Sequence, residues 1–391
     1  MNWNEIVDKV AGRPEVQAAF RRIDGMLEEF AAETTAICEV PAPPFKEHAR
    51  AEFVADLMRR YGLGEVHVDE APNPIGVFPA AGGAKGNAVM LAAHIDTVFP
   101  EGTDCTVRRE GNTLIAPGVS DNSANVAAIL AVARLLREFH FELPREVVFV
   151  GTAGEEGLGD LRGMKVAMRA LKDRVARILP VDGGFGTICH RAVGSRRLKV
   201  TAHTVGGHSY GDFGRPSAIH GLGRMIAGIA VLTVPKSPKT TFNVGVISGG
   251  TSVNTIAPKA WMQVDMRSES AAELAKLEEN VRAAIGAGAE AEGTEYTIEV
   301  VGDRAAGQTP AEADLIKLLT AVFEQMGITP VLRSGSTDSN VPIGMGLEAA
   351  TISAKNGTGG HTVNDAVYVE SMIPGVKTLL LTVLVAAGWG Q

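Results

Sequence analysis

Cysteine, aromatic residues and positive charge are all scarce in this chain of 391 residues. The three cysteines, Cys38, Cys105 and Cys189, are too few and too scattered for a disulfide framework or a thiolate zinc site. We therefore expect buried free thiols. A formal net charge of -8 argues against nucleic acid or an anionic membrane surface as the main partner, because both require a basic surface on the protein.

Long hydrophobic runs are missing as well. The longest apolar run, near residues 379–387, is shorter than a bilayer requires, and no secretory signal pattern opens the chain. We expect no membrane partner and a cytoplasmic location. The content of 45% hydrophobic and 21% charged residues is ordinary for a globular enzyme, and the length allows two domains.

A pair of acids follows one strongly apolar segment. Residues 146–150, EVVFV, are typical of a buried parallel strand, and the loop after them carries Glu155 and Glu156. Ligands of open α/β sheets bind beyond the carboxyl ends of the strands, which places this pair beside a candidate site. Adjacent acids are also common as solvated loop charges.

Two further strand-like segments end in ligand-type residues. Residues 87–98 carry His94 and Asp96, which are two apart and so share a face, where Asp96 can fix the tautomer of His94. The same pair fits a hydrogen-bonded histidine of the core. Residues 176–182 end in Asp182, which two glycines follow.

Two more candidates lie in loops. Asp121 precedes a long apolar helix, where it fits a helix N-cap and also a ligand that bridges two cations, because an acid beside a helix N-terminus stays ionised readily. His361 lies in a glycine-rich loop ahead of the last apolar helix.

The order of elements predicts an α/β catalytic domain that a second domain interrupts. We predict a parallel-rich sheet flanked by helices in residues 1–195 and 303–391. Residues 196–302 show the order βαββαβ, which is typical of a ferredoxin-like unit. Helical spacing of apolar residues predicts one amphipathic helix over residues 14–37.

Together the candidates supply two imidazole nitrogens and three carboxylates, which suits two zinc ions that share one carboxylate. Cobalt or manganese fits the same ligands. Glu155 is then the candidate general base for a bound water. The five candidate ligands are His94, Asp121, Glu156, Asp182 and His361.

In order along the chain, the motifs HID, PGVSDN, GEEG, VDGG, GGHS and GGHT resemble those of the di-zinc exopeptidases and deacylases. This family includes peptidase T, glutamate carboxypeptidases, acetylornithine deacetylase and aminoacylase, and the chain looks closest to the peptidase T-like branch. The resemblance implies a cis peptide after Asp121, a partner role for Asp96 beside His94, and Glu155 as the base. It also implies one metal on His94, Asp121 and Asp182, and the other on Asp121, Glu156 and His361.

The inserted domain resembles the lid of this family, which commonly dimerises. His208 in GGHS matches the histidine that reaches the active site of a partner subunit and steadies the oxyanion, so a homodimer through the lid is implied. Asn254 and Arg267 match positions that hold the substrate, and an arginine can bond a carboxylate bidentately.

The resemblance implies hydrolysis of an amide bond in a short peptide or an N-acyl amino acid. Asp182 in VDGG is typical of tripeptide aminopeptidases, whereas GTSVNTIAP and VDMRS look equally like carboxypeptidase and deacylase relatives. The leading interpretation is a tripeptide aminopeptidase-like enzyme. The alternative within the family is an N-acyl-amino acid deacylase or a carboxypeptidase.

Two other classes of protein remain as alternatives. Residues 207–211, GHSYG, match the G-x-S-x-G motif of serine hydrolases, with Ser209 as the nucleophile, but that motif requires a sharp turn from a strand into a helix. A non-catalytic binding protein of this fold should have lost ligands, and none of the expected positions is missing.

Overall fold

The computed structural model describes residues 2–390, which form two compact units. One unit runs up to Ala192 and resumes at Gln308, and the other is Val193–Gly307. The α-helices of the described residues are α1 Trp3–Ala11, α2 Pro14–Asp24, α3 Leu27–Cys38, α4 His48–Arg60, α5 Ala124–Glu138, α6 Arg162–Leu171, α7 Ala218–Ala230, α8 Ala271–Glu292, α9 Asp314–Gln325, α10 Asn340–Gly344 and α11 Met372–Ala386. The strands are β1 Gly64–Val68, β2 Pro74–Phe78, β3 Ala88–His94, β4 Arg108–Glu110, β5 Thr113–Ile115, β6 Val147–Thr152, β7 Val175–Pro180, β8 Thr187–Ala192, β9 Gly194–His203, β10 Gly207–His208, β11 Thr240–Gly249, β12 Thr255–Ile256, β13 Lys259–Ser268, β14 Glu295–Arg304, β15 Gly307–Gln308, β16 Val331–Gly335, β17 Asn356–Thr358 and β18 Ala366–Tyr368.

The central sheet of the first unit has the strand order β1-β2-β6-β3-β7. Strand β3 runs parallel to both β6 and β7, whereas β1 and β2 add an antiparallel edge. Residues 349–352 continue the parallel part beyond β7 through two bridges. The α/β fold is therefore as predicted, with a parallel centre in a mixed sheet. Every residue of β3 and β6 is buried, as their unbroken apolar runs require.

Helices α5 and α11 form much of the core of the first unit, and most residues of both are buried. Residues 369–386 are long and apolar enough to cross a membrane by length and composition, with a mean hydropathy of 1.6. The uninterrupted apolar run that the sequence shows near residues 379–387 is only part of this segment. However, 72% of it is buried inside the protein, which is the environment of a core helix.

Apart from the two-residue strands β10 and β12, which pair with each other, the second unit has the element order β9-α7-β11-β13-α8-β14. Its four-stranded sheet has the order β11-β13-β9-β14 with every pair antiparallel. Buried and half-buried residues alternate along β13, because one face of the sheet packs on α7 and α8 while the other stays open. This is the βαββαβ order that the sequence predicts.

The single helix predicted over residues 14–37 is wrong, because α2 ends at Asp24 and α3 begins at Leu27. Gly25 and Met26 form the turn between them, and their N–H groups bond to Arg22 and Ile23. Glycine is a poor helix former, and the apolar spacing on either side of it is too similar to reveal the break.

Gly375 in α11 provides a test of this packing. A Cβ atom at this position would clash with the backbone oxygen of Ala354, in the segment that follows the parallel bridges. We predict that Gly375→Ala destabilises the first unit by about 2 kcal/mol or more, because a backbone atom cannot move aside as a side chain can. Chemical denaturation measures this change.

Gly223→Ala in α7 is the matched control, because no atom of the described chain beyond its own helix lies within 4 Å of a Cβ there. It should be neutral or add up to ~1 kcal/mol through helix propensity. Equal stability of the two variants would contradict the close approach of α11.

Candidate metal centre

Three of the predicted ligands lie at one edge of the central sheet, because parallel strands end on the same side. His94 is the last residue of β3, Glu156 follows the end of β6, and Asp182 follows the end of β7. His94 and Glu156 are buried, and Asp182 is partly buried.

The other two ligands come from loops that a smaller sheet joins. Asp121 lies in the turn between β5 and α5, and His361 lies between β17 and β18. Because β18 pairs antiparallel with β5, the loop that follows β5 and the loop that precedes β18 lie next to each other. The Asp121-Asn122 peptide is cis, as the family resemblance implies.

His94, Asp121 and Asp182 form the first group of candidate ligands, with donor atoms all within 4.8 Å of one another. The Nε2 atom of His94 lies 3.0 Å from Oδ1 of Asp121 and 3.9 Å from Oδ1 of Asp182. These are nitrogen and oxygen donors around one point, as a zinc-like cation requires.

The second group consists of Asp121, Glu156 and His361. The Nε2 atom of His361 lies 2.9 Å from Oε1 of Glu156 and 3.3 Å from Oδ2 of Asp121. Asp121 therefore presents Oδ1 to the first group and Oδ2 to the second, which is the arrangement of a carboxylate between two cations.

Glu155 lies against both groups, since its carboxylate is also within 4.8 Å of donor atoms of His94 and Glu156. It is buried. The carboxylate of Asp96 accepts hydrogen bonds from the backbone N–H groups of Glu155 and Glu156, each at 2.9 Å. These bonds fix the loop that presents the acid pair.

Asp96 contacts the ring of His94 more closely through its backbone oxygen than through its carboxylate, which the sequence spacing had suggested. Nδ1 of His94 lies 3.1 Å from the backbone oxygen of Asp96 and 3.7 Å from its carboxylate. Because a carbonyl oxygen only accepts, it holds the hydrogen on Nδ1 and turns Nε2 towards the acids. The side chain of Asp96 is thus left to hold residues 155 and 156.

The electrostatics of the cluster reflect this crowding of acids. Burial raises the pKa of Glu156 and Asp182. Burial also acts to raise the pKa of Asp121, but hydrogen bonds from His361 and His94 outweigh it and lower that pKa.

The two histidines respond in the opposite direction. The hydrogen bond to Asp121 raises the pKa of His361 to about 9. Burial acts to lower the pKa of His94, yet its hydrogen bond to Asp121 and the charge of Asp182 raise it well above the usual value. The acids thus favour positive charge on both rings, and divalent cations supply that charge when they replace the protons. The donor set therefore fits two metal ions.

The sequence analysis missed two buried residues, Asp365 and Lys355, that hold the turn carrying Asp121. Oδ2 of Asp365 accepts hydrogen bonds from the backbone N–H groups of Ser120 and Asp121, and Lys355 donates to Oγ of Ser120. Asp365 and Lys355 are both buried. One signal was available, since an acid follows His361 in HTVND much as Asp96 follows His94 in HID.

The second unit carries the remaining candidates, at two different places. His208 and Asn254 lie together, because β10 pairs with β12 and the N–H of Ser209 bonds to the backbone oxygen of Asn254. Arg267 lies at the far end of β13, where it pairs with Ser195. It lies eight positions from Lys259 at the start of the strand, which is roughly 26 Å.

Ser209 does not lie in a nucleophile elbow. The strand before it, β10, has only two residues, and the next helix begins at Ala218. Turns occupy the interval, so the sharp passage from strand to helix that exposes such a serine is absent from this described segment. The serine hydrolase alternative is therefore wrong.

Comparison with known proteins agrees with this geometry. The profile of peptidase family M20/M25/M40 matches residues 90–384. Succinyl-diaminopimelate desuccinylase of Corynebacterium glutamicum is 24% identical over 351 residues, which cover 87% of this chain and 92% of the relative.

Two solved structures share the fold. Aminopeptidase PepT from Bacillus cereus is 20% identical, with a TM-score of 0.75 over 92% of this chain and 99% of that one. The YXEP protein of Bacillus subtilis, described as a dinuclear metal-binding peptidase, is 16% identical, with a TM-score of 0.67 over 93% of this chain and 99% of that one.

The match spans well over half of the chain and includes every candidate ligand of the cluster. The predictions of a hydrolase and of this family are confirmed. The chain belongs to peptidase family M20/M25/M40.

Proposed function

We propose that this protein is a two-metal exopeptidase that releases the N-terminal residue of short peptides in the cytoplasm. One observation carries the proposal: Asp121 presents one carboxylate oxygen to each of two ligand groups. His94 and Asp182 complete the first group, and Glu156 and His361 complete the second. Zinc is the metal that we expect, because imidazole and carboxylate ligands suit it well.

Glu155 is the residue that we assign to proton transfer. Bound cations would polarise the scissile carbonyl and lower the pKa of a water molecule. Glu155 then accepts the proton of the attacking water and delivers it to the leaving amine. Glu156 lies 2.9 Å from His361, which supports a ligand role for Glu156 and proton transfer by its neighbour.

His208 has the tautomer that stabilises an oxyanion. Its Nδ1 accepts hydrogen bonds from the backbone N–H groups of Tyr210 and Gly211, so the hydrogen of the neutral ring lies on Nε2. His208 is exposed, and Nε2 can donate to a negatively charged oxygen.

We further propose that two copies associate and that His208 and Asn254 of one copy serve the site of the other, while Arg267 holds substrate in its own chain. Arg267 lies apart from His208 and Asn254 within the second unit, which supports their serving two different active sites. Four large apolar side chains near His208 are at least 90% exposed, which is unfavourable unless a partner covers them. They are Val205, Tyr210, Phe213 and Val253.

The choice of substrate rests on two observations that favour different branches. Asp182 in VDGG and the likeness to an aminopeptidase structure support peptides with a free amine. The desuccinylase relative supports the second candidate, an N-acyl-amino acid deacylase.

The first prediction distinguishes the role of Glu155 from that of Glu156. Glu155→Gln should lower kcat about 10²- to 10⁴-fold and leave metal content unchanged, because it removes a base and no ligand. Glu156→Gln is the matched neighbour and should lower metal content. Elemental analysis and initial rates measure both effects, and metal loss in the Glu155 variant would overturn these roles.

The second prediction concerns the substrate. Tripeptides with a free amine, the same peptides N-acetylated, and N-succinyl amino acids are compared with zinc, cobalt and manganese. We expect release of the N-terminal residue from the free tripeptides, abolished by phenanthroline and not by a serine-directed phosphonate. Cleavage of N-acyl substrates alone would establish the deacylase, and chelator-insensitive cleavage would refute the metal mechanism.

The third prediction tests the shared site. His208→Ala and Glu155→Gln should each be inactive, and their equal mixture should recover about one quarter of wild-type activity, because random pairing gives half hybrids with one intact site of two. Each variant alone, taken through the same mixing procedure, is the control. No recovery despite subunit exchange, shown by native mass spectrometry, would contradict a site shared between copies.

A further inference from the structure

Two buried carboxylates hold two of the loops that carry acidic ligands of the cluster, those of Asp121 and Glu156. Asp96 accepts hydrogen bonds from the consecutive N–H groups of residues 155 and 156. Asp365 does the same for Ser120 and Asp121, at 2.9 Å and 3.0 Å to a single oxygen, Oδ2. Each carboxylate follows a candidate histidine ligand closely in sequence. Asp365 is thus the counterpart of Asp96 on the other side of the cluster.

The loop of residues 359–365 makes this arrangement compact. Backbone bonds from Thr362 to Gly359 and from Asp365 to Thr362 close it into successive turns. It presents His361 at one point and the carboxylate of Asp365 at another, so a single loop supplies one ligand and holds Asp121. The backbone oxygen of Asp365 also accepts the N–H of Ala116, which lies at the start of the Asp121 turn.

Lys355 provides a second attachment to the same turn. Its Nζ donates to Oγ of Ser120 at 2.7 Å, and its side chain is only 6% exposed. The ammonium lies close enough to Asp121, Asp182 and Asp365 to act on all three electrostatically. A buried charge of this kind requires partners, and here the surplus of carboxylates provides them.

The orientation of Asp121 depends on these attachments. Its two oxygens point to different groups, so a small rotation of the turn removes one oxygen from its group. In the first group, Asp365 holds only Asp121. In the second, it holds Asp121 directly and His361 through their common loop, which makes two of the three ligands.

We propose that Asp365, with Lys355, is a positioning residue that fixes Asp121 between the two metal sites, and that the site of Asp121, Glu156 and His361 depends on it more strongly. This inference rests on the two-metal function proposed above. Partners of metal ligands typically change metal affinity by about 10- to 100-fold when they are removed.

Calorimetric titration of zinc into metal-free protein tests the inference without an activity assay. We expect wild-type protein to bind two equivalents, and Asp365→Ala to bind one with little change and the second about 10- to 100-fold more weakly. Asp365→Asn should restore the second equivalent, because an amide oxygen accepts the same two N–H bonds. The other oxygen, Oδ1, makes no hydrogen bond within the described residues 2–390 that the substitution could remove.

Asp104→Ala is the control, since it removes a carboxylate that accepts two hydrogen bonds from Thr106 on an exposed loop. It should bind zinc as the wild type does. Two equivalents bound normally by Asp365→Ala, equal loss of both, or failure of the Asn variant to restore the second would each overturn the positioning role. Failure of wild-type protein to bind two equivalents would instead refute the proposed function.

Discussion

Repulsion between carboxylates is the constraint on which the candidate site depends. Three acids of two ligand groups, with Glu155 beside them, have donor atoms within a few ångströms of each other at a buried edge of the sheet. Such a set is stable only with compensating positive charge, because ionised groups in a low-dielectric environment repel strongly. Divalent cations would supply that charge in place of protons on the two imidazoles. The cluster is thus organised for cations before any substrate binds.

The backbone meets this constraint in two ways. Parallel strands β3, β6 and β7 bring His94, Glu156 and Asp182 to one edge, since each strand ends there. The carboxylates of Asp96 and Asp365 then accept hydrogen bonds from backbone N–H groups and hold the loops on the two sides of the cluster. Because these loops are already ordered, metal binding does not have to include the free-energy cost of ordering them, and the affinity for the metal is higher.

Much of this arrangement could be predicted from the sequence, and the exceptions have physical reasons. His94 and Asp182 follow apolar strands, whose pattern is local, so their position at the sheet edge could be inferred. Asp121 was ambiguous, because a helix cap and a bridging ligand require the same residue at the same place. The break at Gly25 was missed, since the apolar spacing continues across it. Asp365 was missed because its bonds reach residues about 245 positions away, which no local pattern encodes.

The central claim, that Asp121 joins two cation sites, is tested most directly by anomalous diffraction at the zinc edge from crystals grown with zinc. Two peaks are expected, one among His94, Asp121 and Asp182, and the other among Asp121, Glu156 and His361, with an oxygen of Asp121 near each. A single peak, or two peaks that do not share Asp121, would contradict the account.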